Sequence, residues 1–336
     1  MKSNKISVAR LVLPFVFGSL VLLSACTRKS SAQSSTVNLQ AHVKLPFRFV
    51  AYGDTRFHDP NDTVAANPTV RLELVKGIAA QDPAFVCFTG DIVYNGNDSD
   101  DWKVWDKETS VFREKSIAVY PALGNHDLHG KADVALGNYF ARFPELKESR
   151  YYSVRAADTL ILALDSSLDE LTGPQGQWLS EELDHVPADV RFVFLMLHHP
   201  PYTSSSDEGK FGGGHSARHP EQALARQLEE RQAHAPYRII VFAGHVHNYE
   251  RHEHGGVTYF VTGGGGAHAY PIERDANDPF QSKEVNYHYL LVEVSGEAVK
   301  ITMNRLDLST GKPVWTQPDS ISIAVPQAAT AHVASQ

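Results

Sequence analysis

The chain has 336 residues, of which 42% are hydrophobic, and a formal net charge of −8 at pH 7. This length and hydrophobic content are enough for one large or two small globular domains. The negative charge argues against a protein that follows nucleic-acid phosphates with a broad basic surface, so we expect no nucleic-acid polymer as a partner. No pattern in the sequence indicates an oligomeric state.

The N-terminus is typical of an exported protein. Three basic residues precede an apolar run at 11–23, which is short for a membrane-spanning helix, and the sequence Leu-Ser-Ala-Cys follows and ends at Cys26. This segment resembles a bacterial lipoprotein box, in which Cys26 carries the lipid; the alternative is an ordinary signal peptide. We predict a lipoprotein signal peptide at 1–26 and attachment to the cell envelope, on the outer membrane facing the periplasm if the source is Gram-negative.

The rest of the chain divides by composition into three parts. Residues 27–44 are rich in Ser, Gln and Ala without periodicity and are predicted to be a flexible tether. The folded domain is predicted at 45–326 and a disordered tail at 327–336. Cys87 lies in an apolar stretch and is predicted to be a buried thiol, with no intrachain disulfide.

Five short stretches rich in Val, Ile, Phe and Tyr predict buried strands, at 47–52, 84–89, 116–123, 190–197 and 238–243. Helical periodicity predicts helices between them, at 68–80 with Asn67 as the N-cap, 100–112, 174–185 and 220–234. A hairpin is predicted at 151–164. After residue 256 four more strands and no helix are predicted, at 257–262, 286–294, 298–306 and 320–325, which would supply a second sheet.

A polar cluster follows each of the five strands. In an open α/β sheet, ligands bind beyond the carboxyl ends of the strands, so we expect the five loops to converge. Together they supply Asp, Asn and His side chains, which are suitable ligands for a pair of divalent or trivalent ions. The clusters are Gly53-Asp54-Thr55-Arg56, Gly90-Asp91-Ile92-Val93-Tyr94, Gly124-Asn125-His126-Asp127, His198-His199-Pro200-Pro201-Tyr202 and Gly244-His245-Val246-His247.

These clusters resemble the signature of the calcineurin-like metallophosphoesterase superfamily, and the resemblance covers roughly residues 45–306. Tyr94, three residues after Asp91, and the run Gly-His-Val-His-Asn-Tyr-Glu-Arg at 244–251 resemble the purple acid phosphatase branch. The resemblance implies a metallophosphatase-like α/β (α+β) fold, a four-layer αββα sandwich of two mixed β-sheets flanked by helices. It also makes residues 45–326 the catalytic domain.

The resemblance implies a ligand set for two metal ions. Asp91 would bridge both ions, Asp54 and His247 would complete the first, and the second would take Asn125, His198 and His245. Most members of the superfamily carry a His two residues after the first Asp, where this chain has Arg56. Tyr94 stands at the spacing of the iron-binding tyrosine of purple acid phosphatases, which implies Fe(III) at the first position and Fe(II), Zn or Mn at the second. The alternative for Tyr94 is simple packing on its loop.

Further roles follow from the same resemblance. His126 would be the general acid that protonates the leaving group, and Asp127 would hold it charged through a hydrogen bond. His215 would line the substrate pocket. Independently of the resemblance, the donors of the Arg56 guanidinium predict that it binds a phosphate oxygen or, equally, forms a plain salt bridge. His199 is predicted to be structural.

The resulting prediction is a membrane-anchored, dinuclear-metal phosphoesterase. We favour a phosphomonoesterase of the acid phosphatase type, in which a metal-bound hydroxide attacks the phosphorus of a small phosphate ester. One alternative is a phosphodiesterase that acts on nucleotides or phospholipid head groups. The other is a non-catalytic, metal-binding surface lipoprotein.

Overall fold

The computed structural model describes residues 36–168, 171, 173–208 and 215–326. The predicted signal peptide with Cys26, the first part of the predicted tether and the tail at 327–336 lie outside the described residues. Over the described part of the chain, no helix combines the length and the apolar character that crossing a bilayer requires.

Two mixed β-sheets form the centre of the molecule. Sheet I has the strand order β13-β12-β11-β2-β3-β4, with β14 also paired to β12, and sheet II has the order β1-β5-β6-β7-β8-β10-β9. The strands are β1 (Asn38–Ala41), β2 (Phe47–Tyr52), β3 (Phe85–Phe88), β4 (Ala118–Pro121), β5 (Tyr152–Ala156), β6 (Thr159–Ala163), β7 (Phe192–Met196), β8 (Arg238–Ala243), β9 (Tyr249–His254), β10 (Val257–Thr262), β11 (Tyr287–Val294), β12 (Ala298–Asp307), β13 (Val314–Thr316) and β14 (Ser320–Ala324). In each sheet the strands that precede the predicted polar clusters are parallel neighbours: β2, β3 and β4 in sheet I, and β7 and β8 in sheet II.

The main core lies between the two sheets. The ring of Phe49 on β2 meets the ring of Phe194 on β7 at a centroid distance of 5.2 Å and that of Phe242 on β8 at 6.3 Å, and all three are buried. Strands that are covered on both faces have continuous apolar sequences rather than alternating ones. This is why the five buried strands could be predicted from composition alone.

Helices cover the outer faces of both sheets. They are α1 (Pro68–Ala80), α2 (Ser99–Glu108), α3 (Ser110–Glu114), α4 (Ala132–Arg142), α5 (Gly173–Asp184) and α6 (His219–Gln232), with short 3-10 turns at His126–Leu128 and Pro144–Leu146. Asn67 caps α1 as predicted, since its side chain accepts hydrogen bonds from the backbone N–H groups of Thr69 and Val70. A second apolar cluster joins α5 and α6 to the outer face of sheet II. The predicted four-layer αββα sandwich is confirmed.

Apart from shifts of one or two residues at the ends of elements, two predicted segments differ from the structure. Composition predicts a tether at 27–44, but Asn38–Ala41 forms β1 and pairs in parallel with β5, and Ala41 is buried. The ordered domain therefore begins before residue 45. The helix predicted at 100–112 is two helices, because the hydroxyl of Thr109 donates to the carbonyl of Trp105 and the chain starts a new helix at Ser110.

The C-terminal strands do not form a sheet of their own. β11 pairs antiparallel with β2, so the last strands extend sheet I, whereas β10 lies between β8 and β9 in sheet II. The prediction of a separate second sheet was therefore wrong. The hydrophobic pattern of a strand shows that it is buried, but it does not specify which distant strand becomes its neighbour.

A buried ion pair links α1 and α2 to the loop that follows β2. Arg71 is fully buried, and its guanidinium donates to both carboxylate oxygens of Glu108, at 3.1 and 3.3 Å. It also donates to the carbonyls of Arg56 and His58, at 3.2 and 3.1 Å. Arg71 thus fixes the loop that carries Asp54.

Replacing Glu108 with Ala is expected to lower the free energy of unfolding by about 3–5 kcal/mol, because a buried guanidinium loses its counter-charge. Urea unfolding measures this change. The exposed pair of Lys103 and Asp100 provides the control, since Asp100→Ala should leave the midpoint of urea unfolding nearly unchanged. Equal effects of the two substitutions would contradict the structural role of Arg71.

Candidate metal centre

Both sheets contribute to one cluster of polar side chains. Asp54, Asp91 and Asn125 follow β2, β3 and β4 of sheet I, and His198 and His245 follow β7 and β8 of sheet II. The sequence predicted convergence at the end of one open sheet. The structure brings the loops together instead where the carboxyl ends of the two stacked sheets meet.

The backbone of this cluster is held in unusual conformations. Asp54, Asp91 and His245 have positive φ angles of 59°, 54° and 70°, in the left-handed region that non-glycine residues rarely occupy. Such strain persists only where the surroundings impose it, and it is concentrated at functional sites. Here the backbone N–H of His245 donates to both oxygens of Asp54, at 3.0 and 2.9 Å, which ties sheet II to sheet I.

Close backbone approach explains two of the glycines that precede the polar residues. A Cβ at Gly124 would lie 2.2 Å from the backbone nitrogen of Asp91, so only glycine lets these two loops touch. A Cβ at Gly90 would lie 2.8 Å from the backbone nitrogen of Gly124, and Gly90 also has a φ of 92°, which uses the conformational freedom predicted from the sequence. Both glycines therefore allow the loops after β3 and β4 to stay in contact.

Asp54, Asp91 and His247 form the first group of ligand-type atoms. One side-chain atom from each lies within 4.8 Å of the others, and all three residues are buried. The Nδ1 of His247 donates to the carbonyl of His268 at 2.9 Å, so the neutral ring has a lone pair on Nε2. That Nε2 is 3.7 Å from Asp54 Oδ1 and is buried without a hydrogen-bond partner among the described residues.

Asn125, His198 and His245 form the second group. The Nε2 of His198 is 3.0 Å from Asn125 Oδ1, 3.1 Å from His245 Nδ1 and 3.3 Å from Asp91 Oδ1. The Nδ1 of His198 donates to the carbonyl of Thr89 at 2.9 Å, so Nε2 of the neutral ring again carries the lone pair. Asp91 is therefore close to both groups, as the predicted bridging role requires.

Burial and neighbouring charges shift the pKa values of the carboxyl and imidazole groups in this cluster. Burial and the nearby charge of Asp91 raise the pKa of Asp54 well above its ordinary value. Burial opposes ionisation of Asp91 as well, yet the neighbouring His198 and Arg56 bring its pKa below its usual range. Burial lowers the pKa of His247 to about 3, which keeps its imidazole neutral.

The residues fit a pair of cations. Carboxylate oxygens, an amide oxygen and imidazole lone pairs face one another at 3.0 to 3.7 Å, and cations between them would turn these repulsions into coordination. The structure brings together all six residues predicted as carboxylate, amide or imidazole ligands: Asp54, Asp91, Asn125, His198, His245 and His247.

Arg56 contacts the first group, and Tyr94 lies near His126. The guanidinium of Arg56 donates to Asp91 Oδ2 from Nε at 3.3 Å and from Nη2 at 3.2 Å, so the structure shows the salt-bridge alternative. The ring centroid of Tyr94 is 5.1 Å from that of His58 and 5.3 Å from that of His126. Coordination of a metal by Tyr94 stays a prediction.

His126 is oriented by two hydrogen bonds. Its backbone N–H donates to Asp91 Oδ1 at 2.9 Å, and its ring Nδ1 donates to the carbonyl of Tyr94 at 2.7 Å. This leaves Nε2 as the ring nitrogen available for proton transfer. Burial lowers the pKa of His126 to about 4.

Asp127 does not hold His126, and its predicted role is corrected. Its Oδ1 accepts from the backbone N–H groups of Ile92 and Val93, at 2.8 and 3.2 Å, and its Oδ2 accepts from that of Gly124 at 2.9 Å. A fully buried carboxylate needs such donors, and the adjacent loop supplies them. Asp127 therefore fastens the loop after β3 to the loop after β4.

Two further histidines lie against the second group. The ring centroid of half-exposed His215 is 4.2 Å from that of His245, consistent with its predicted place at the substrate pocket. His199 was predicted to be structural, but its ring centroid is 4.3 Å from that of His245, and it lies within ligand range of His198. Successive side chains point to opposite faces only within a strand, and β7 ends at Met196.

Other groups that orient the histidines of the site could not be identified from the sequence. The carbonyls of Thr89 and His268 select the tautomers of the two ligand histidines, but backbone groups leave no mark on residue identity. Ser166, which contacts His199, lies in a segment after β6 that the sequence pattern does not single out. Such partners become visible only once the strands are placed.

Comparison with known proteins agrees with this geometry. The family model described as calcineurin-like phosphoesterase matches residues 47–249. The phosphoenolpyruvate phosphatase of Allium cepa is 30% identical over 208 residues, which are 56% of this chain and 40% of that protein. The Fe(3+)-Zn(2+) purple acid phosphatase 12 of Arabidopsis thaliana is 27% identical over 230 residues, which are 62% of this chain and 44% of that protein. The chain thus spans less than half the length of these relatives.

A solved structure shows the same fold. Purple acid phosphatase PPD1 from seeds of yellow lupin (Lupinus luteus) superposes with a TM-score of 0.62 at 17% identity, over 84% of this chain and 54% of that one. At this identity the similarity concerns the architecture of the two sheets and their helices.

Proposed function

Because the chain belongs to the calcineurin-like phosphoesterase family, we propose that it is a metal-dependent phosphomonoesterase that hydrolyses small phosphate esters at a dinuclear centre. The superfamily predicted from the sequence is confirmed. The observation that carries the proposal is the placement of Asp91 against both groups of ligand atoms. Relatives named as a phosphoenolpyruvate phosphatase and as a purple acid phosphatase support a monoester substrate.

The two groups define which residues would hold the ions. Asp54, Asp91 and His247, with Tyr94, would hold the first, and Asp91, Asn125, His198 and His245 the second. When bound, the ions would supply Lewis acidity toward the phosphate and lower the pKa of a coordinated water. We propose iron at the first position and Fe(II), Zn or Mn at the second, supported by the relative whose name includes Fe(3+) and Zn(2+).

The side chains around the ligands have roles of their own. Arg56 neutralises the Asp91 oxygen to which it donates, and Asp127 holds the two ligand loops at a fixed separation. His126 presents Nε2 while its Nδ1 is engaged, so its imidazolium form, which the lowered pKa of about 4 restricts to acidic pH, can give a proton from Nε2 to the leaving-group oxygen. Half-exposed His215 lies beside His245, where a substrate would enter.

A comparison of two chromogenic esters tests the proposal. We expect the metal-loaded protein to hydrolyse p-nitrophenyl phosphate faster than bis(p-nitrophenyl) phosphate, with about two ions per chain. Faster cleavage of the diester would favour the phosphodiesterase alternative. No cleavage of either ester by the metal-loaded protein would favour a non-catalytic metal-binding protein.

Replacing Tyr94 with Phe tests the iron position. If the phenolate of Tyr94 binds Fe(III), the iron-loaded parent has a visible phenolate-to-iron charge-transfer band, and Tyr94→Phe removes it. Absorption spectroscopy with parallel iron analysis measures this. Tyr270, whose ring lies 5.6 Å from that of His247, provides the control, since Tyr270→Phe should keep the band. A parent protein with full iron content and no band would contradict ligation by Tyr94.

We also propose that the protein is exported and anchored to the cell envelope through lipidated Cys26. Support comes from the basic start, the apolar run at 11–23 and the Leu-Ser-Ala-Cys sequence. Mass spectrometry of the N-terminal peptide of the membrane fraction tests this proposal. An acylated Cys26 at the mature N-terminus is the expected result, and an unmodified Cys26 within or upstream of the mature chain would contradict it.

A further inference from the structure

Ser166 connects the two adjacent histidines that follow β7. It is fully buried, and its Oγ lies 3.2 Å from the backbone nitrogen of His198 and 3.0 Å from that of His199. The same Oγ lies 3.0 Å from the ring Nδ1 of His199. Both backbone groups are N–H donors, so the hydroxyl oxygen accepts two hydrogen bonds.

This arrangement determines where His199 carries its proton. A serine hydroxyl has one proton to donate and two lone pairs. Because the two backbone N–H groups occupy the lone pairs, the hydroxyl proton is directed at Nδ1 of His199. A ring that accepts at Nδ1 has its proton on Nε2, and a charged ring has protons on both nitrogens. If Nε2 carried no proton, the proton of the ring would be on Nδ1, and Nδ1 would then be a third donor directed at Ser166 Oγ. Nε2 is therefore an N–H donor in every favourable state.

Among the described residues, the Nε2–H group of His199 has no hydrogen-bond acceptor, and the residue as a whole is 6% exposed. The ring centroid of His199 is 4.3 Å from that of His245, and the ring centroid of half-exposed His215 is 4.2 Å from that of His245. Around it the ligand side chains present carboxylate oxygens, an amide oxygen and bare imidazole nitrogens, which are acceptors. A hydrogen-bond donor here is suited to an anion that enters the site.

We propose that His199 is a substrate-binding residue whose Nε2–H donates to a phosphoryl oxygen, and that it is not a metal ligand although it lies within ligand range of His198 and His245. This inference rests on the proposed phosphoesterase function. Metal coordination needs an unprotonated ring nitrogen, and Ser166 occupies the only one that His199 has. The unprotonated oxygens of a phosphate group act only as acceptors, so they complement the Nε2–H group.

Binding of inorganic phosphate, the reaction product, to the metal-loaded protein tests the inference. Isothermal titration calorimetry of His199→Leu should show a Kd raised about 10- to 100-fold, the loss expected for a hydrogen bond to a charged group. His199→Gln keeps an N–H donor and should stay within about threefold of the parent. Metal analysis should show unchanged metal content in both variants. Exposed His185, at the end of α5, provides the control, and His185→Leu should change neither quantity.

Each contrary result would overturn the inference and would also indicate which assumption was wrong. Loss of an ion in His199→Leu would identify His199 as a ligand, and an unchanged Kd would identify it as structural. If His199→Leu does not fold, Ser166→Ala takes its place: the ring loses its fixed tautomer, and phosphate affinity should fall while both ions stay bound. Unchanged affinity in a folded Ser166→Ala protein would again overturn the inference. A parent protein that binds no phosphate and cleaves no ester would overturn the proposed function itself.

Discussion

Replacing Asp91 with Asn is expected to remove metal from both positions and to lower kcat/KM for p-nitrophenyl phosphate about a thousandfold or more. Asp91 belongs to the first ligand group and its Oδ1 lies 3.3 Å from His198 Nε2 in the second group, and a carboxylate can give one oxygen to each. An Asn side chain offers one oxygen and directs an NH₂ group at the other position, where it repels a cation. Bound ions contribute several kcal/mol to transition-state stabilisation, which corresponds to the predicted loss in rate.

Metal analysis and thermal unfolding would separate this effect from misfolding. Added Zn²⁺ should raise the Tm of the metal-free parent, because binding to the folded state stabilises it, and should raise that of Asp91→Asn much less. Asp319 pairs with Arg251 and Tyr249, and Asp319→Asn should keep both the metal response and the activity. An Asp91→Asn protein with two ions and full activity would contradict the shared role of Asp91.

Much of the fold could be predicted because local sequence determines the elements that a buried core requires. The bounds of α1 and β8 agree with their predictions, since α1 has a capping Asn67 and β8 is apolar at every position after Arg238. The pairing of β11 with β2 could not be predicted. That pairing depends on which edge of sheet I is free once the chain has folded, and no local pattern encodes it.

Part of the candidate site could likewise be predicted from the sequence, and part could not. The convergence of the six proposed ligand residues could be predicted because carboxylate, amide and imidazole side chains follow buried strands in a characteristic order. The role of Asp127 could not, since its carboxylate turns from the adjacent His126 toward backbone N–H groups of the loop after β3. Nor could the tautomer of His199, which depends on how many donors reach the hydroxyl of Ser166. Sequence specifies which groups are present, and hydrogen-bond geometry determines which atom of each faces the substrate.

Replacing His126 with Ala is expected to lower kcat by about 10²–10⁴-fold while metal content stays unchanged, the range typical for a lost general acid. The structure identifies Nε2 of His126 as the atom from which the proton would be given. The Nδ1 of His126 donates to the Tyr94 carbonyl, so proton transfer must use Nε2. Among the described residues, the hydrogen bond that joins His126 to a proposed ligand runs from its backbone N–H to Asp91, and the Ala variant retains it.

The leaving group distinguishes proton donation from other roles of His126. An alkyl phosphate has a basic leaving group that needs a proton, whereas p-nitrophenolate departs readily without one. Loss of a general acid should therefore reduce kcat more for the alkyl ester than for p-nitrophenyl phosphate. His129, whose ring centroid is 4.1 Å from that of His126, provides the control, and His129→Ala should reduce both rates slightly and equally. An equal, large loss on both esters in His126→Ala would show that His126 positions the substrate, and a loss of metal would show that it supports the ligand loops.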